Sequence, residues 1–255
     1  MIPIGHDLGF ALLASAGFAA GLVDAIAGGG GIISLPALLA FGLPPHVALG
    51  TNKLQAALGT ALATGNYARR GLLDRSQLPL GIACTAAGAL AGALLVSRVP
   101  SAWLARVAPW LLLAILVYVV RSPRLGSAPR APSMEVGAFS LVFGPSLGFY
   151  DGFFGPGTGS FWTVAFVGLL GFTLPRATAH TKVMNLTSNV VALAWFAVHR
   201  DVAWRLGLAV GAANVAGALV GSSLAIERGA RLIRGVFLVV VAATLACLVW
   251  RSFAV

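Results

Sequence analysis

The chain has 255 residues, of which 58% are hydrophobic and only 9% charged, with a mean hydropathy of +0.92. A soluble domain of this length needs a charged shell that such a composition does not supply, whereas lipid accepts an apolar exterior, so an integral membrane protein is indicated. The net charge of +10 does not point to nucleic acid. All but two of the seventeen cationic residues are arginines, and they gather in short breaks between apolar runs: Arg69, Arg70, Arg75, Arg121, Arg124, Arg130, Arg200, Arg228, Arg231 and Arg234. That is where the positive-inside bias of membrane proteins puts them.

In chain order, apolar runs fall near 8–27, 32–42, 47–67, 77–97 and 103–120, then near 136–154, 160–172, 177–198, 204–224 and 232–250. Runs of about twenty residues cross a ~30 Å hydrocarbon core as helices. The runs 32–42 and 160–172 are too short and read as half-helices, the second limbs of broken ones. The first run lacks a positive stretch before it and continues into more apolar sequence, so it reads as a retained helix and not a cleaved signal. Cys84 and Cys247 each lie within an apolar run without ligand neighbours and read as small hydrophobes. The expected fold is all-α: a polytopic transmembrane helical bundle with glycine-broken helices and about 8–10 membrane segments.

The two sets of runs resemble each other. Gly17-x-x-x-Gly21-x-x-Asp24-x-x-x-Gly28-Gly29-Gly30-Gly31 is answered by Gly144-x-x-x-Gly148-x-x-Asp151-x-x-x-Gly155-Pro156-Gly157-Thr158-Gly159. Pro45…Thr51-Asn52-Lys53-Leu54-Gln55 is answered by Pro175…Thr181-Lys182-Val183-Met184-Asn185, and Gly88-x-x-x-Gly92 by Gly217-x-x-x-Gly221. The last pair is explained by close helix packing alone. Several matches in one order, roughly 127 to 130 residues apart, indicate an internal duplication: residues 1–120 as a first membrane repeat, 121–134 as a cytoplasmic linker and 135–255 as a second repeat. A difference of one or two positive charges between the loops favours inverted repeats, with both termini outside.

The only two lysines, Lys53 and Lys182, sit inside apolar runs at matching places in the two repeats. A lysine near a helix end snorkels to the interface, but Pro45 and Pro175 lie about two turns upstream, which leaves these two at depth. There an ammonium costs at least a few kcal/mol unless it has a partner or a task. Thr51, Asn52 and Gln55 surround the first lysine, and His180, Thr181, Asn185 and Asn189 the second. Positions 51, 52 and 55 share one helix face, as do 181, 185 and 189. Ammonium, amide and hydroxyl groups together form a donor-rich pocket suited to an oxyanion.

The glycine breaks supply a second component. Consecutive glycines weaken a helix and free backbone groups, and irregular backbone at membrane depth persists only where protein or a watery cavity covers it. Short helices starting near Ile32 and Ser160 then point their amide N–H groups into that cavity, with Gly29, Gly30, Gly31, Gly157, Thr158 and Gly159 at its wall. Asp24 and Asp151 precede each break. They serve equally well as caps for freed N–H groups, as proton-coupling carboxylates, or as counter-charges that hold a lysine when substrate is absent. His180 is the one histidine placed for proton linkage, while His46 and His199 read as polar loop residues. Trp103, Trp110, Trp204 and Trp250 read as interfacial anchors. No nucleophile–base pair, metal-ligand spacing, dinucleotide fingerprint or phosphate loop occurs, so an enzyme is not expected.

The elements Asp24…Gly28-Gly29-Gly30-Gly31…Pro36…Gly42-x-Pro44…Ala48…Thr51-Asn52 and Gly148-x-x-Asp151-Gly152-x-x-Gly155-Pro156-Gly157-Thr158-Gly159 resemble the sulfite exporter TauE/SafE family, also named for toluene-sulfonate uptake. In this chain a proline interrupts the second glycine run. The resemblance covers nearly the whole chain. It implies a bacterial inner-membrane, multi-pass secondary transporter of small sulfur-containing anions such as sulfite, sulfoacetate or other organosulfonates, working without a cofactor. The partners expected are the small anionic substrate and the lipid bilayer, with no nucleic acid and with homo-oligomerisation left open. Two other readings stand beside it: a proton- or cation-coupled carrier of another organic acid, and a membrane assembly factor, which the scarcity of extramembrane loops disfavours.

Overall fold

The computed structural model describes residues 6–96 and 129–253. The run at 103–120, Trp103, Trp110, Arg121, Arg124 and the side chains of Cys247 and Trp250 lie outside the described residues. Within them the chain forms α1 (His6–Ala27), α2 (Gly31–Ala40), α3 (Pro45–Arg69), a single 3-10 turn (Arg75–Gln77) and α4 (Leu78–Val96). After the linker come α5 (Val136–Phe153), α6 (Thr158–Leu170), α7 (Leu174–Val198) and α8 (Trp204–Phe253). No strand occurs among the described residues, and the all-helical expectation holds.

Local chemistry sets the boundaries. α3 and α7 each carry a proline in the first turn, where its missing N–H costs nothing. α6 is bracketed by left-handed glycines, Gly157 at φ 85° and Gly171 at φ 68°. The short runs at 32–42 and 160–172 appear as α2 and α6, as expected. The runs at 204–224 and 232–250, expected as separate segments, are two helices that meet at a kink within α8. Gly229, at φ 61° and ψ −148°, leaves helical geometry and separates them.

Among the described residues, three helices are long and apolar enough to cross a membrane, over Gly9–Ala27, Arg75–Val96 and Trp204–Val236. α3 and α7, at 25 residues each, have the length but carry the polar stripes, and the packing turns those stripes inward. Thr51, Asn52, Lys53, Gln55 and Thr60 of α3 are buried, as are Thr178, His180, Thr181, Lys182, Asn185, Ser188 and Asn189 of α7. The polar helices form the centre and the apolar ones the outside, the arrangement that hydrocarbon surroundings require.

α1 runs along α8 and α5 along α4, while α3 packs on α7 and α8, and α7 also packs on α4. Glycines let the outer pairs meet backbone to backbone. A Cβ on Gly21 would stand 2.0 Å from the Asn214 carbonyl oxygen, and one on Gly217 2.0 Å from that of Phe18. In the other pair, Gly88 would meet the Pro145 oxygen at 2.2 Å and Gly152 the Ala89 oxygen at 2.0 Å. With little hydrophobic drive between helices in lipid, such close approach is what associates them. The end of the linker is tied to the end of α6, through Arg130 N–H to the Gly171 oxygen at 2.9 Å and Ser133 N–H to the Leu169 oxygen at 2.8 Å.

Candidate functional site

The two glycine breaks meet at the middle of the bundle. Gly28, at φ 71°, lies so close to Gly159 that a Cβ on either would come within 2.6 Å of the other's Cα. The Ser160 hydroxyl donates to the Gly28 oxygen at 2.7 Å. Beside this crossing is a small cavity of about 30 Å³, room for water and little more. Its wall is made by Gly29 and Gly31 at the start of α2, Gly155, Gly157, Thr158 and Gly159 at the start of α6, Asn52, Lys53 and Ala56 of α3, Asn185 and Asn189 of α7, and both aspartates.

Each lysine is paired with the aspartate of the other half. The Lys53 ammonium, 2% exposed, donates to Asp151 Oδ1 at 2.7 Å and to the Asp151 backbone oxygen at 2.6 Å. Lys182, fully buried, donates to Asp24 Oδ2 at 3.0 Å and to the Asp24 backbone oxygen. The Asp151 carbonyl lies in the last turn of α5, where carbonyls run out of helical partners, while the Asp24 carbonyl also accepts the Gly28 N–H at 2.9 Å. Asp151 is held further by the Ser188 hydroxyl on Oδ2. Asp24 instead accepts the Gly29 and Gly30 backbone N–H groups on Oδ1, at 3.2 and 3.4 Å. Asp24 therefore caps a break and counters a lysine at once. Two ammonium groups and two carboxylates leave the site formally neutral.

An amide relay sets which atoms face the cavity. Asn214 Nδ2 of α8 donates to Gln55 Oε1 at 2.9 Å, and Gln55 Nε2 donates to Asn52 Oδ1 at 2.8 Å. The Ser34 hydroxyl also donates to Asn52 Oδ1, at 2.6 Å. With its oxygen fully used, Asn52 has its Nδ2 donor left for the cavity. Glycine at two wall positions makes room for the side chains opposite: a Cβ on Gly155 would stand 2.9 Å from Lys53 Nζ, and one on Gly159 2.7 Å from Asn185 Nδ2. Asn185 Oδ1 is buried without a partner, a polar atom directed at a place where a ligand or water belongs.

Of the residues singled out from sequence, Lys53, Asn52, Asn185, Gly29, Gly31, Gly157, Thr158, Gly159, Asp24 and Asp151 line this cavity. Lys182 stands behind Asp24 and reaches the site through it. Thr51 faces away, accepting from Ala203 N–H at 3.0 Å. Thr181 pairs with the Thr163 hydroxyl at 3.1 Å, Gln55 forms a second layer, and the Gly30 N–H is spent on Asp24. His180 lies elsewhere: its Nδ1 meets the Arg176 oxygen at 2.9 Å and its Nε2 accepts Asp74 N–H at 3.4 Å. There Asp74 is paired with Arg176 at 3.4 Å, and the Ser76 hydroxyl, helped by that guanidinium, holds its carboxyl below the usual range. Sequence reasoning passed over Ser188, Ser34 and Asn214. Ser188 carried a usable signal, one turn beyond Asn185 on the same face of α7.

Comparison with known proteins agrees with the membrane reading. The family described as Sulfite exporter TauE/SafE matches residues 13–248. A probable membrane transporter protein, ORF9, of a Sinorhizobium species is 46% identical over 92% of this chain and 91% of its own length. A probable membrane transporter protein of Haemophilus influenzae is 42% identical over 91% of each chain. The probable membrane transporter protein YfcA of Escherichia coli K12 is 43% identical over 91% of this chain and 87% of its own. No solved structure matches.

Proposed function

This chain belongs to the sulfite exporter TauE/SafE family and is a membrane transporter, not an enzyme, and we propose that its cargo is a small sulfur-containing anion such as sulfite, sulfoacetate or another organosulfonate. The observation that carries the reading is the cavity itself, where the Lys53 ammonium, the Asn52 amide and the starts of two short helices converge on one small volume. Ammonium, amide N–H and helix N-termini are what a tetrahedral or pyramidal oxyanion needs around its oxygens. Lys53 and Lys182 supply charge, Asn52 and Asn185 hydrogen bonds, and the breaks at Gly29–Gly31 and Gly157–Gly159 the backbone contacts.

The protein is placed by this reading in the bacterial inner membrane as a multi-pass carrier, with residues 1–120 and 135–255 as inverted repeats about a cytoplasmic linker. The matched outer pairs α1–α8 and α5–α4, and a lysine from each half reaching the other half's aspartate, support that organisation. Alternating access then rocks one half against the other about the cavity, whose small volume suits an occluded state. A carrier of another organic acid is the second reading. In its favour, both ammonium groups already hold carboxylate oxygens.

The test is uptake or counterflow of radiolabelled sulfite and sulfoacetate in proteoliposomes, with Lys53→Ala and Lys182→Ala as variants. Transport by the unsubstituted protein, abolished by both substitutions in folded protein, is the expected result. Transport that survives both removes the lysines from the site. Absence of sulfite and sulfoacetate flux together with uptake of a carboxylate moves the assignment to the second reading.

A further inference from the structure

The two aspartates are matched in sequence but not in surroundings. The Asp151 side chain is 5% exposed and that of Asp24 is 21% exposed. Asp151 is locked through both oxygens by side chains, Lys53 at 2.7 Å on one and Ser188 on the other. Asp24 is held more loosely. Its oxygens sit 3.0 Å from Lys182 Nζ and 3.2 and 3.4 Å from the Gly29 and Gly30 N–H groups. An ammonium and two adjacent backbone N–H groups leading into a helix form an oxyanion site, and here a carboxylate of the chain occupies it. Lys182 is off the cavity wall, and Asp24 stands between it and the cavity.

We propose that Asp24 is a tethered stand-in for the transported anion and the carrier of one proton per anion, while Asp151 is a fixed strut. The proposal rests on the anion-transport reading above. The site is neutral with two lysines and two aspartates, so an entering anion leaves one net negative charge at membrane depth, which costs several kcal/mol. In the proposed step the anion takes the Lys182 ammonium and the Gly29 and Gly30 N–H groups. The displaced Asp24 carboxylate, left without its cation, takes a proton from the aqueous phase, since a carboxylate at membrane depth with no partner is costly to keep charged. Lys182 remains an ammonium throughout. One anion and one proton enter together, and no net charge moves.

The ionisable groups facing Asp24 are few. From α7 it meets Lys182 and, across the cavity, Lys53 of α3 and Asp151 of α5. Tyr67 of α3 is close, its hydroxyl donating to the Ala25 oxygen at 2.9 Å. On the α8 side, Arg228 and Arg231 line an open groove beside Leu22 and Val23. α2 and α6 offer only backbone and hydroxyl groups. Asp24 thus has one close cation to lose, and that cation is the one an anion competes for.

The experiment uses proteoliposomes holding an internal pH dye, with labelled methanesulfonate, a sulfonate whose charge does not titrate near neutral pH, so that internal acidification reports the protein alone. The unsubstituted protein is expected to acidify the lumen by one proton per labelled anion and to ignore an imposed membrane potential. Asp24→Asn, with a permanently neutral side chain, is expected to lose the acidification and to make anion flux respond to potential. Asp24→Glu should retain the one-to-one ratio, and Asp151→Asn should slow transport while whatever flux remains stays coupled. Should Asp24→Asn fail to fold, the ratios of the unsubstituted protein and of Asp24→Glu decide. Anion entry without acidification, or a ratio of one in Asp24→Asn, overturns the proposal and leaves anion transport standing. No entry of the labelled sulfonate at all overturns the transport reading for this cargo class and the coupling with it.

Discussion

Replacing Lys53 by Met removes one of the two lysine–aspartate pairs that join the halves of the protein at the cavity, and the structure sets the size of the effect. The ammonium is 2% exposed and its partner carboxylate 5% exposed, so neither is screened by water. Removing one member leaves Asp151 with the Ser188 hydroxyl alone, an uncompensated buried charge of the kind that costs about 3–5 kcal/mol. The double variant Lys53→Met/Asp151→Leu trades the pair for apolar groups of similar bulk, a change that is often neutral. A double-mutant cycle on reversible denaturation in mixed micelles measures this: a large loss in the single variant, most of it recovered in the double. Transport should be absent in both, because the cavity loses its charged donor either way. A loss below about 1 kcal/mol in the single variant, the figure for an exposed pair, would refute the view that this bridge clamps the halves.

Three further outcomes follow from the same geometry. Gly155→Ala places a Cβ 2.9 Å from Lys53 Nζ at a backbone φ of 95°, so a loss of about 1–3 kcal/mol from strain should accompany weakened anion binding, read by denaturation and by the concentration dependence of uptake. Gln55→Leu strands the Asn214 donor and leaves Asn52 Oδ1 held by the Ser34 hydroxyl alone. At about 1–3 kcal/mol per orphaned buried group, anion affinity should fall roughly tenfold with the fold retained, measured by competition in counterflow. Asp74 titrates below its ordinary 3.8 because Ser76 and then Arg176 favour the charged form. A depressed carboxylate contributes stability above its unfolded pKa and loses it as pH falls through the folded one. The stability gap between the unsubstituted protein and Asp74→Asn should therefore be constant near neutrality and close only below about pH 3.8, followed by melting temperature against pH.

What sequence reading found and missed divides along a physical line. Lys53 and Lys182 stood out because an ammonium in an apolar run is costly, and the glycine breaks because four glycines cannot hold a helix. Both are local facts, and Lys53 meets the glycine breaks at the cavity while Lys182 stands behind Asp24. The partners of the lysines were not legible. Lys53 finds its aspartate 98 residues away and Lys182 finds its own 158 residues away, and which of three roles Asp24 takes depends on how two halves dock. Thr51 and Thr181 share the polar stripe with the wall residues, yet a rotation of one position along each helix gives them to Ala203 and Thr163 instead. Helical periodicity assigns a face but not which neighbour that face meets. The break within α8 was legible, since Gly229 stands in the charged stretch between two apolar runs and the two helices meet there.

The crossed ion pairs bear on how a carrier of this kind avoids leaking. If the halves rock against each other, every movement must part Lys53 from Asp151 or Lys182 from Asp24, and parting a buried pair without replacement is costly. An empty carrier is then held by its own side chains. An anion lowers that cost only where it substitutes for a carboxylate, and the looser of the two pairs, at Asp24, is where substitution is cheapest. A neutral solute of the same size finds the donors already occupied and brings nothing to replace what it displaces. Under the proposed mechanism, selectivity for charge and coupling of binding to movement come from one feature: the site is built complete, with an aspartate standing in the place that the cargo must take.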